Sequence, residues 1–285
     1  MARPYILGHS DHETRRLILQ HQIYGPITRR FFEAAGIGRG MKVLDVGSGA
    51  GDVALLVADL VGPSGRVVGV DMNAEILETA RERASEICCS RFARAISGAV
   101  AGWRNVEFLA GDFAAVVTDR DFDAVVGRWV LMHVPDPVTL VRNAAARLRI
   151  GGIVAFHEND FTYPPTTFPP TPVDTEVGRW LVPPPGGRGP EMQMGTKLHA
   201  TYLDAGLPAP QFRLEAPAGG GPDWPGFEYV AETARSLLPM LEKITGVKPE
   251  EVDVDTLGAR LREDAMKHRA VQMLPLMFGA WTRKA

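Results

Sequence analysis

The sequence predicts an α/β fold in which helices cover both faces of a mostly parallel sheet. Three observations support this prediction. Between residues 41 and 158, short apolar stretches alternate with helical patterns. The apolar stretches hold few polar residues, as expected of strands that are buried on both faces. Several of them end in glycine or aspartate directly before a helix, which is typical of strand–helix units repeated along a parallel sheet.

Within this region the pattern predicts five strands and three helices. The expected strands are Met41–Val46, Arg66–Val70, Val106–Leu109, Phe122–Val126 and Ile153–His157, and the expected helices are Asp52–Val61, Ala74–Ser90 and Pro137–Leu148. We expect the glycines Gly151 and Gly152 to stop the last helix, because glycine is unfavourable inside a helix. The segment 91–104 is longer than a simple turn requires, so we expect an extra helical turn or two there.

The residues before this region are predicted to be helical. Apolar side chains recur near helical spacing over residues 10–35, and Ser10 followed three residues later by Glu13 indicates a capped helix start. We therefore expect residues 1–40 to form an N-terminal helical cap.

The composition changes after the fifth strand. Residues 161–191 are crowded with proline and glycine, but they also hold Phe161, Phe168 and Trp180. A disordered linker is one interpretation of such a stretch. The aromatic residues favour the other interpretation, an ordered lid-like insertion. Further elements are expected at Met194–Gly206, Pro225–Lys243 and Val254–Lys267 (helices), Gln211–Glu215 (strand) and Val271–Trp281 (a final strand or hairpin arm).

These elements predict three regions. Residues 1–40 form the helical cap and residues 41–160 the core. Residues 161–285 complete the sheet and carry two insertions, at about 161–193 and 223–270. Because open α/β sheets bind ligands at the ends of their strands, we expect both insertions to close over the substrate together with the N-terminal helices and to exclude water.

Composition narrows the classes of function. The formal net charge is −3, which gives no basic face for a phosphate backbone and disfavours nucleic acid as a partner. No apolar run is long enough for a membrane span, and the first residues lack the pattern of a secretory signal. The only cysteines, Cys88 and Cys89, are adjacent, so neither a disulfide nor a zinc site is expected. We expect a cytoplasmic protein, and a homodimer is compatible with the sequence.

The most informative motif is the decapeptide VLDVGSGAGD at residues 43–52. A buried strand passes through glycines directly into a helix, and glycine lets the backbone turn sharply with no Cβ to obstruct a ligand. A plain tight turn is one interpretation. NAD binding is another, but its fingerprint needs a glycine where this chain has Asp52. We also interpret Asp52 as a negative charge that disfavours a pyrophosphate at the helix start.

Acidic residues follow the next two strands. Asp71 lies 24 residues after Gly47, where its carboxylate can accept both ribose hydroxyls of an adenosine. Capping of the next helix is the alternative role, to which Asn73 has an equal claim. After the third strand, Asp112 can accept the adenine amino group while Phe113 packs beside the ring, or the pair can form a plain turn.

Together these motifs resemble the class I S-adenosylmethionine (SAM)-dependent methyltransferases, in particular the small-molecule group that includes the ubiquinone/menaquinone C-methyltransferases and sterol-type enzymes. The resemblance rests on the glycine motif, Asp71, Gly111-Asp112, Leu131-x-His133 and Leu148-x-x-Gly151-Gly152. It implies a Rossmann-like, seven-stranded sheet with SAM over the strand ends. The SAM-binding residues implied by the match are Asp45, Gly47, Ser48, Gly49, Gly51, Asp71, Met72, Gly111, Asp112, Phe113, Gly127 and Arg128.

Candidate catalytic residues are fewer. His133, just past the fourth strand, is a candidate general base, although a histidine there also suits the pocket wall. Glu158, at the end of the fifth strand, is a candidate for binding or deprotonating the substrate. Asp136, Asn159 and Asp160 are oxygen ligands of the kind that magnesium takes, but their order and the flanking prolines favour turns, so we expect no metal.

Three hypotheses of function follow. The first is methyl transfer from SAM to O, N or C of a small, fairly apolar metabolite, with catalysis mainly by positioning and desolvation. An NAD-dependent oxidoreductase is the second, and a non-catalytic SAM-binding protein is the third. The methionines and aromatic residues near the C-terminus, such as Met273 and Tyr229, make an apolar substrate plausible.

Overall fold

A computed structural model describes residues 11–89, 105–162, 166–181, 190–245 and 248–285. The predictions made for Ser10 and for residues 91–104 lie outside the described residues. The chain divides into two compact units. The first, called the sheet unit here, comprises Thr28–Glu158, Met194–Arg213 and Phe278–Ala285, and the second, called the helical unit, comprises Met1–Ile27, Asn159–Gln193 and Leu214–Met277.

Strands and helices alternate along most of the described chain. In chain order the strands are β1 (Lys42–Val46), β2 (Arg66–Asp71), β3 (Val106–Ala110), β4 (Phe122–Arg128), β5 (Leu148–Asp160), β6 (Thr166–Phe168), β7 (Gln211–Glu215), β8 (Ala218–Gly219), β9 (Val271–Met273) and β10 (Leu276–Arg283). The helices are α1 (Asp11–Ala35), α2 (Asp52–Val61), α3 (Ala74–Cys89), α4 (Phe113–Val116), α5 (Pro137–Ala146), α6 (Pro172–Leu181), α7 (Met194–Asp204), α8 (Gly226–Thr245), α9 (Pro249–Val252) and α10 (Val254–His268).

A seven-stranded sheet runs in the order β3-β2-β1-β4-β5-β10-β7. The pairs β1–β2, β2–β3, β1–β4 and β4–β5 are parallel. The chain order reverses at β1, whose neighbours are β2 and β4, and such a reversal opens a crevice at the carboxyl ends of the strands. The predicted α/β class and mostly parallel sheet are confirmed.

The core of the sheet unit explains its order of strands. Val43 and Leu44 in β1, and Ala124, Val125 and Val126 in β4, are fully or almost fully buried. Strands with no exposed face are stable only when helices cover both sides of the sheet. The central position of β1 and β4 in the sheet therefore follows from their uninterrupted apolar sequence.

Helix α1 packs on this sheet through aromatic side chains. The ring centroid of Phe31 lies 4.7 Å from that of His157 and 5.9 Å from that of Trp281. A Cβ on Gly279 would lie 2.3 Å from the Phe31 ring, so only glycine admits this close approach. The helix is a single continuous element, where the sequence predicted helices over residues 10–35.

Two boundary predictions are wrong. Leu148 begins β5 rather than ending a helix, and Gly151 and Gly152 lie within that strand. The Gly151 N–H donates to Lys284 O at 2.9 Å, and Gly152 O accepts from Lys284 N–H at 2.8 Å. Pairing with the end of the chain thus overrides the local preference of two glycines. The final strand or hairpin arm expected over Val271–Trp281 is instead two strands, β9 and β10, which belong to different sheets.

The helical unit contains a three-stranded antiparallel sheet in the order β6-β9-β8. At its centre the fully buried Gln272 donates to Asp174 Oδ1 at 3.3 Å and accepts from Trp224 Nε1 at 3.1 Å. Burial raises the pKa of Asp174, whereas its hydrogen bonds to Gln272 and Thr167 act in the opposite direction. Among the described residues, no helix combines the length and the apolar character that crossing a membrane requires.

Candidate functional site

The turn between β1 and α2 contains three glycines in the left-handed region of the backbone map. The φ angles are 69° at Gly47, 51° at Gly49 and 84° at Gly51. Residues with a Cβ rarely adopt such angles. The N–H groups of Gly47 and Ser48 donate to Val70 O at 2.8 and 2.9 Å, which fixes this glycine turn (residues 47–52) against the end of β2.

The space beside each glycine differs. A Cβ on Gly47 would lie 2.6 Å from the side chain of Val130, and one on Gly51 would lie 3.1 Å from the Ala80 side chain. No described atom lies within 4 Å of the equivalent position on Gly49. Packing thus excludes a Cβ at Gly47 and leaves little room for one at Gly51, whereas Gly49 presents an open stretch of backbone that a ligand can approach.

Asp71 connects the end of β2 to the glycine turn. Its Oδ2 accepts the Gly49 N–H at 2.9 Å, and its Oδ1 accepts the Asn73 N–H at 2.9 Å. The cap of α3 is Asn73, whose Oδ1 accepts the Glu75 N–H at 2.9 Å. Because Asn73 takes the capping role, the carboxylate of Asp71 keeps lone pairs for a ligand, and its role as ribose acceptor stays a prediction.

The end of β3 combines a cap with exposed carboxylate surface. Asp112 Oδ1 accepts the Ala114 N–H at 2.9 Å and so caps the short helix α4. Its side chain is nevertheless exposed, and Phe113 beside it is buried.

Two further predicted residues follow β2 and β3. Met72, after β2, is 65% exposed, so a flat ring that covers it would bury apolar surface. Gly111 has a φ of 129°, and its missing Cβ leaves room for Val116.

Two more predicted cofactor residues lie deeper. Asp45 is fully buried in β1; burial raises the pKa of its carboxyl group well above the usual value, and the guanidinium of Arg128 opposes this shift. The Oγ of Ser48 is buried and has no hydrogen-bond partner among the described residues. A buried hydroxyl without a partner, next to the open backbone of Gly49, fits a ligand with polar groups such as SAM.

Arg128, predicted to line the cofactor site, is buried at the end of β4. Its Nη1 donates to Thr28 Oγ1 at 3.2 Å, its Nη2 lies 3.5 Å from Asp52 Oδ2, and its guanidinium lies over the Trp129 ring. Its neighbour Gly127 is a packing position, since a Cβ there would lie 2.7 Å from the Phe156 ring. The guanidinium of Arg128 therefore belongs to a buried ion pair beneath the glycine turn.

The interpretation of Asp52 needs correction. Its carboxylate is buried and neutralised from both sides, by Arg83 Nη2 at 2.6 Å and by Arg128 Nη2 at 3.5 Å. A carboxylate compensated in this way does not repel a pyrophosphate strongly. The Asp71 carboxylate accepts the Gly49 N–H in this structure, so a pyrophosphate would have to displace that carboxylate to use this donor.

Glu158 binds the backbone of the segment that follows β4. Its buried carboxylate accepts the N–H groups of Val130 and Leu131, both at 2.9 Å, and of Met132 at 3.4 Å. Burial raises the pKa of Glu158 to about 7, and the three backbone N–H groups oppose that shift. In this structure Glu158 holds a backbone segment, which is a positioning role, and its predicted contact with substrate stays a prediction.

The remaining candidates are more exposed. His133 ends the short 3₁₀ turn Leu131–His133 and its side chain is exposed, so its role as a base stays a prediction. Asp136 caps α5 through the Thr139 N–H at 2.9 Å, and Asp160 Oδ1 accepts the Thr162 N–H at 2.9 Å. Within the described ranges, no group of three His, Cys, Asp or Glu side chains is placed to hold a metal ion.

Sequence reasoning missed three polar residues of this site. Arg83 contacts the glycine turn, and Thr28 Oγ1 lies 3.3 Å from His157 Nδ1. Burial and the nearby charge of Arg128 lower the pKa of His157 well below its usual value, so the imidazole is neutral and shares a hydrogen bond with the Thr28 hydroxyl. The sequence gives no pattern for these pairings, because the partners lie far apart along the chain.

Comparisons with known proteins address the family. A family described as a methyltransferase domain matches residues 37–165, which contain β1 to β5 and the glycine turn. Residues 37–165 of this chain are a methyltransferase domain of the SAM-dependent kind that the sequence predicts. The predicted family and its cofactor, SAM, are thereby confirmed.

Relatives of the methyltransferase domain share only part of their length with it. An arsenite methyltransferase of Aquipseudomonas alcaligenes is 33% identical over 148 residues, which are 49% of this chain and 40% of the relative. A demethylmenaquinone methyltransferase of Staphylococcus aureus is 29% identical over 136 residues, 47% of this chain and 48% of the relative. The chain thus matches less than half the length of these curated relatives.

A solved structure extends the likeness in fold. The YcgJ protein of Bacillus subtilis has a TM-score of 0.51 and 17% identity, with coverage of 93% of this chain and 99% of that chain. At this identity the likeness concerns the fold alone. It confirms the Rossmann-like architecture of the methyltransferase domain and leaves its substrate undetermined.

The first prediction concerns Asp71. Replacing Asp71 with Ala should weaken S-adenosylhomocysteine binding by ~1–3 kcal/mol, because both the ligand hydroxyls and the Gly49 N–H lose their acceptor. Isothermal titration measures the affinity. Asn73→Ala is the matched control: it removes the cap of α3, costs about 1 kcal/mol of stability and should leave the affinity unchanged. An equal loss of affinity in both variants would assign Asp71 to the helix start alone.

The second prediction concerns Glu158. Folding raises the pKa of this carboxyl group from 4.5 to about 7. The folded state therefore holds a proton that the unfolded state has already lost. The contribution of Glu158 to stability should fall by about 3 kcal/mol as pH rises from 4.5 to 7 and stay level beyond. Glu158→Gln should remove this dependence, since its amide does not titrate. Urea unfolding of both proteins at several pH values measures the difference, and parallel curves would contradict the prediction.

Proposed function

We propose that this protein transfers the methyl group of SAM to O, N or C of a small, fairly apolar metabolite. The observation that carries the proposal is the strand-end arrangement of Asp71 and the glycine turn, with the open backbone of Gly49 beside the Asp71 carboxylate. A ligand without a phosphate group can bind to this arrangement. The family match to residues 37–165 supports the same cofactor.

The proposed contacts with SAM follow from these groups. Asp71 is the proposed acceptor for the ribose hydroxyls, and Asp112 with Phe113 and Met72 would bind the adenine. The Ser48 hydroxyl and the backbone beside Gly49 would bind the amino acid end, whose charged groups need polar partners. When bound, SAM supplies an activated methyl group on a sulfonium, so the chain itself needs no strong catalytic acid or base.

The chain's contribution is then mainly positioning and exclusion of water. Correct positioning alone supplies on the order of 7–11 kcal/mol of barrier reduction. The segment after β4 has a defined shape for this task, since Trp129 has a φ of 57° and Glu158 binds the three N–H groups that follow. His133, at the end of that segment, is the proposed base where the acceptor is a phenol or enol.

The relatives suggest the range of substrates to test. Their names give arsenite in one case and demethylmenaquinone in the other. Arsenic(III) prefers soft thiolate ligands, and this chain has only two cysteines, adjacent at Cys88 and Cys89. The methionines and aromatic residues in the last third of the sequence favour an apolar organic acceptor. We further propose that residues 161–193 and 223–270, rich in aromatic residues, proline and methionine, select the substrate.

The third prediction tests the cofactor. SAM and S-adenosylhomocysteine should bind with a dissociation constant in the micromolar range or tighter, about −8 kcal/mol, while NAD and NADP give no heat. Isothermal titration of each nucleotide measures this. NADH binding without SAM binding would support the oxidoreductase alternative.

Methyl transfer itself is tested with SAM labelled on its methyl group. Label should enter an organic-soluble product from a panel of phenols, quinols and amines, with arsenite plus thiol as a separate arm. Tight SAM binding with no S-adenosylhomocysteine formed on any acceptor would favour the non-catalytic alternative. Label in nucleic acid would contradict the small-molecule proposal.

The fourth prediction concerns metal ions. Asp136 and Asp160 each bind a backbone N–H in a cap or turn, so we expect methyl transfer to any acceptor found to survive EDTA. The assay compares rates before and after dialysis against EDTA. Loss of activity that magnesium restores, and sodium does not, would identify a metal-dependent reaction.

A further inference from the structure

We propose that Arg83 is a positioning residue for SAM, one that holds the glycine turn in its binding conformation from helix α3. The glycine motif at residues 43–52 does not identify Arg83, because this residue lies 31 positions after Asp52 and within a helix rather than at the end of a strand. The inference rests on the proposed function, since it assumes that the glycine turn binds SAM.

Arg83 contacts the residues on both sides of Gly51, at the end of the glycine turn. Its Nη1 donates to Ala50 O at 2.7 Å, and its Nη2 donates to Asp52 Oδ1 at 2.6 Å. Gly51, between these two residues, is the N-cap of α2 and makes no side-chain cap bond. The planar guanidinium presents two donors in a rigid fork, so one side chain fixes both sides of Gly51 at once.

Glycine makes this support necessary. The turn needs three left-handed residues, and glycine provides them only at a large cost in conformational entropy. Asp71 restrains the Gly49 end of the turn, and Arg83 restrains the Gly51 end. Without the second restraint, ligand binding would have to order the turn as well, and the affinity would fall accordingly.

The charge balance makes Arg83 a suitable residue to replace. Asp52 keeps a second cation, Arg128, whose side chain is 3% exposed and whose Nη2 lies 3.5 Å from Oδ2. Without Arg83, the buried Asp52 carboxylate still has the positive charge of Arg128 beside it. Without Asp52, both arginines would lose their carboxylate partner. The Arg83 side chain is 27% exposed, so a small guanidinium compound in solution can reach its place.

Helix α3 also provides a matched control. Arg81 lies two residues earlier, forms an ion pair with Glu78 at 2.6 Å and donates to the Phe108 carbonyl at 2.9 Å. It resembles Arg83 in charge and in its bond to a backbone oxygen. These two partners lie in α3 and β3 rather than in the glycine turn, so Arg81→Ala reports the general effect of losing such an arginine.

The experiment titrates S-adenosylhomocysteine into the wild type, Arg83→Ala, Arg83→Lys and Arg81→Ala. We expect about tenfold weaker binding for Arg83→Ala, since two charge-assisted hydrogen bonds are lost. Lysine cannot bridge both acceptors, so Arg83→Lys should lose a smaller factor, about threefold. Arg81→Ala should bind like the wild type. Methylguanidine at millimolar concentration should restore much of the affinity of Arg83→Ala and leave Arg81→Ala unchanged.

Several results would overturn the proposal. These are an unchanged affinity in Arg83→Ala, an equal loss in Arg81→Ala, or a loss that methylguanidine does not reduce. If Arg83→Ala is too unstable to titrate, Arg83→Lys decides by the same comparison. If the wild type itself does not bind S-adenosylhomocysteine, the proposed function fails. Amide hydrogen exchange of ligand-free protein then tests the restraint alone: residues 49–52 should exchange faster in Arg83→Ala than in Arg81→Ala, and equal rates would refute it.

Discussion

The hydrogen bond from the Gly49 N–H to the carboxylate of Asp71 is the interaction on which the strand-end site depends. It joins the turn after β1 to the last residue of β2, and it forms only because the two strands are in register, with Val46 opposite Val70. A slip of one residue would turn Asp71 to the other face of the sheet. The buried, apolar residues that fix this register thus also set the position of the carboxylate.

Around this bond, three carboxyl groups and two guanidinium groups lie close together. Asp45, Asp52 and Asp71 lie close enough to influence one another, since the charges of Asp71 and Asp52 both raise the pKa of Asp45. Arg128 and Arg83 supply two positive charges in compensation. Asp52 is thus compensated, and the Asp71 carboxylate at the turn suits a cofactor that brings a sulfonium and an amino group. The electrostatics therefore agree with the family, although Asp52 alone does not explain the preference.

Sequence reasoning succeeded where a single stretch of chain determines the outcome. Asp52–Val61 and Gln211–Glu215 have the bounds that the sequence predicts, because apolar spacing and flanking turn residues mark both ends. The strand-end aspartates were found for the same reason. It failed at Gly151-Gly152, where a distant partner strand decides the structure, and it did not find Arg83 or Thr28. Their partners lie tens of residues away, and no local pattern encodes such a pairing.

Strand β9 of the helical unit inverts the usual polarity of a strand. Gln272 points into the interior, while its neighbour Val271 is 47% exposed. The pairs Thr167–Gln272 and Gly219–Gln272 keep that amide beside Asp174 and the Trp224 indole. A shift of the β9 register by one residue would expose the Gln272 amide and place an apolar side chain in the interior. It would also leave the Asp174 carboxyl group and the Trp224 indole N–H without their hydrogen-bond partner. The buried hydrogen bonds of Gln272 therefore fix the register of the three-stranded sheet. Substitutions that make β9 more apolar would reduce the preference for this register over one shifted by a residue.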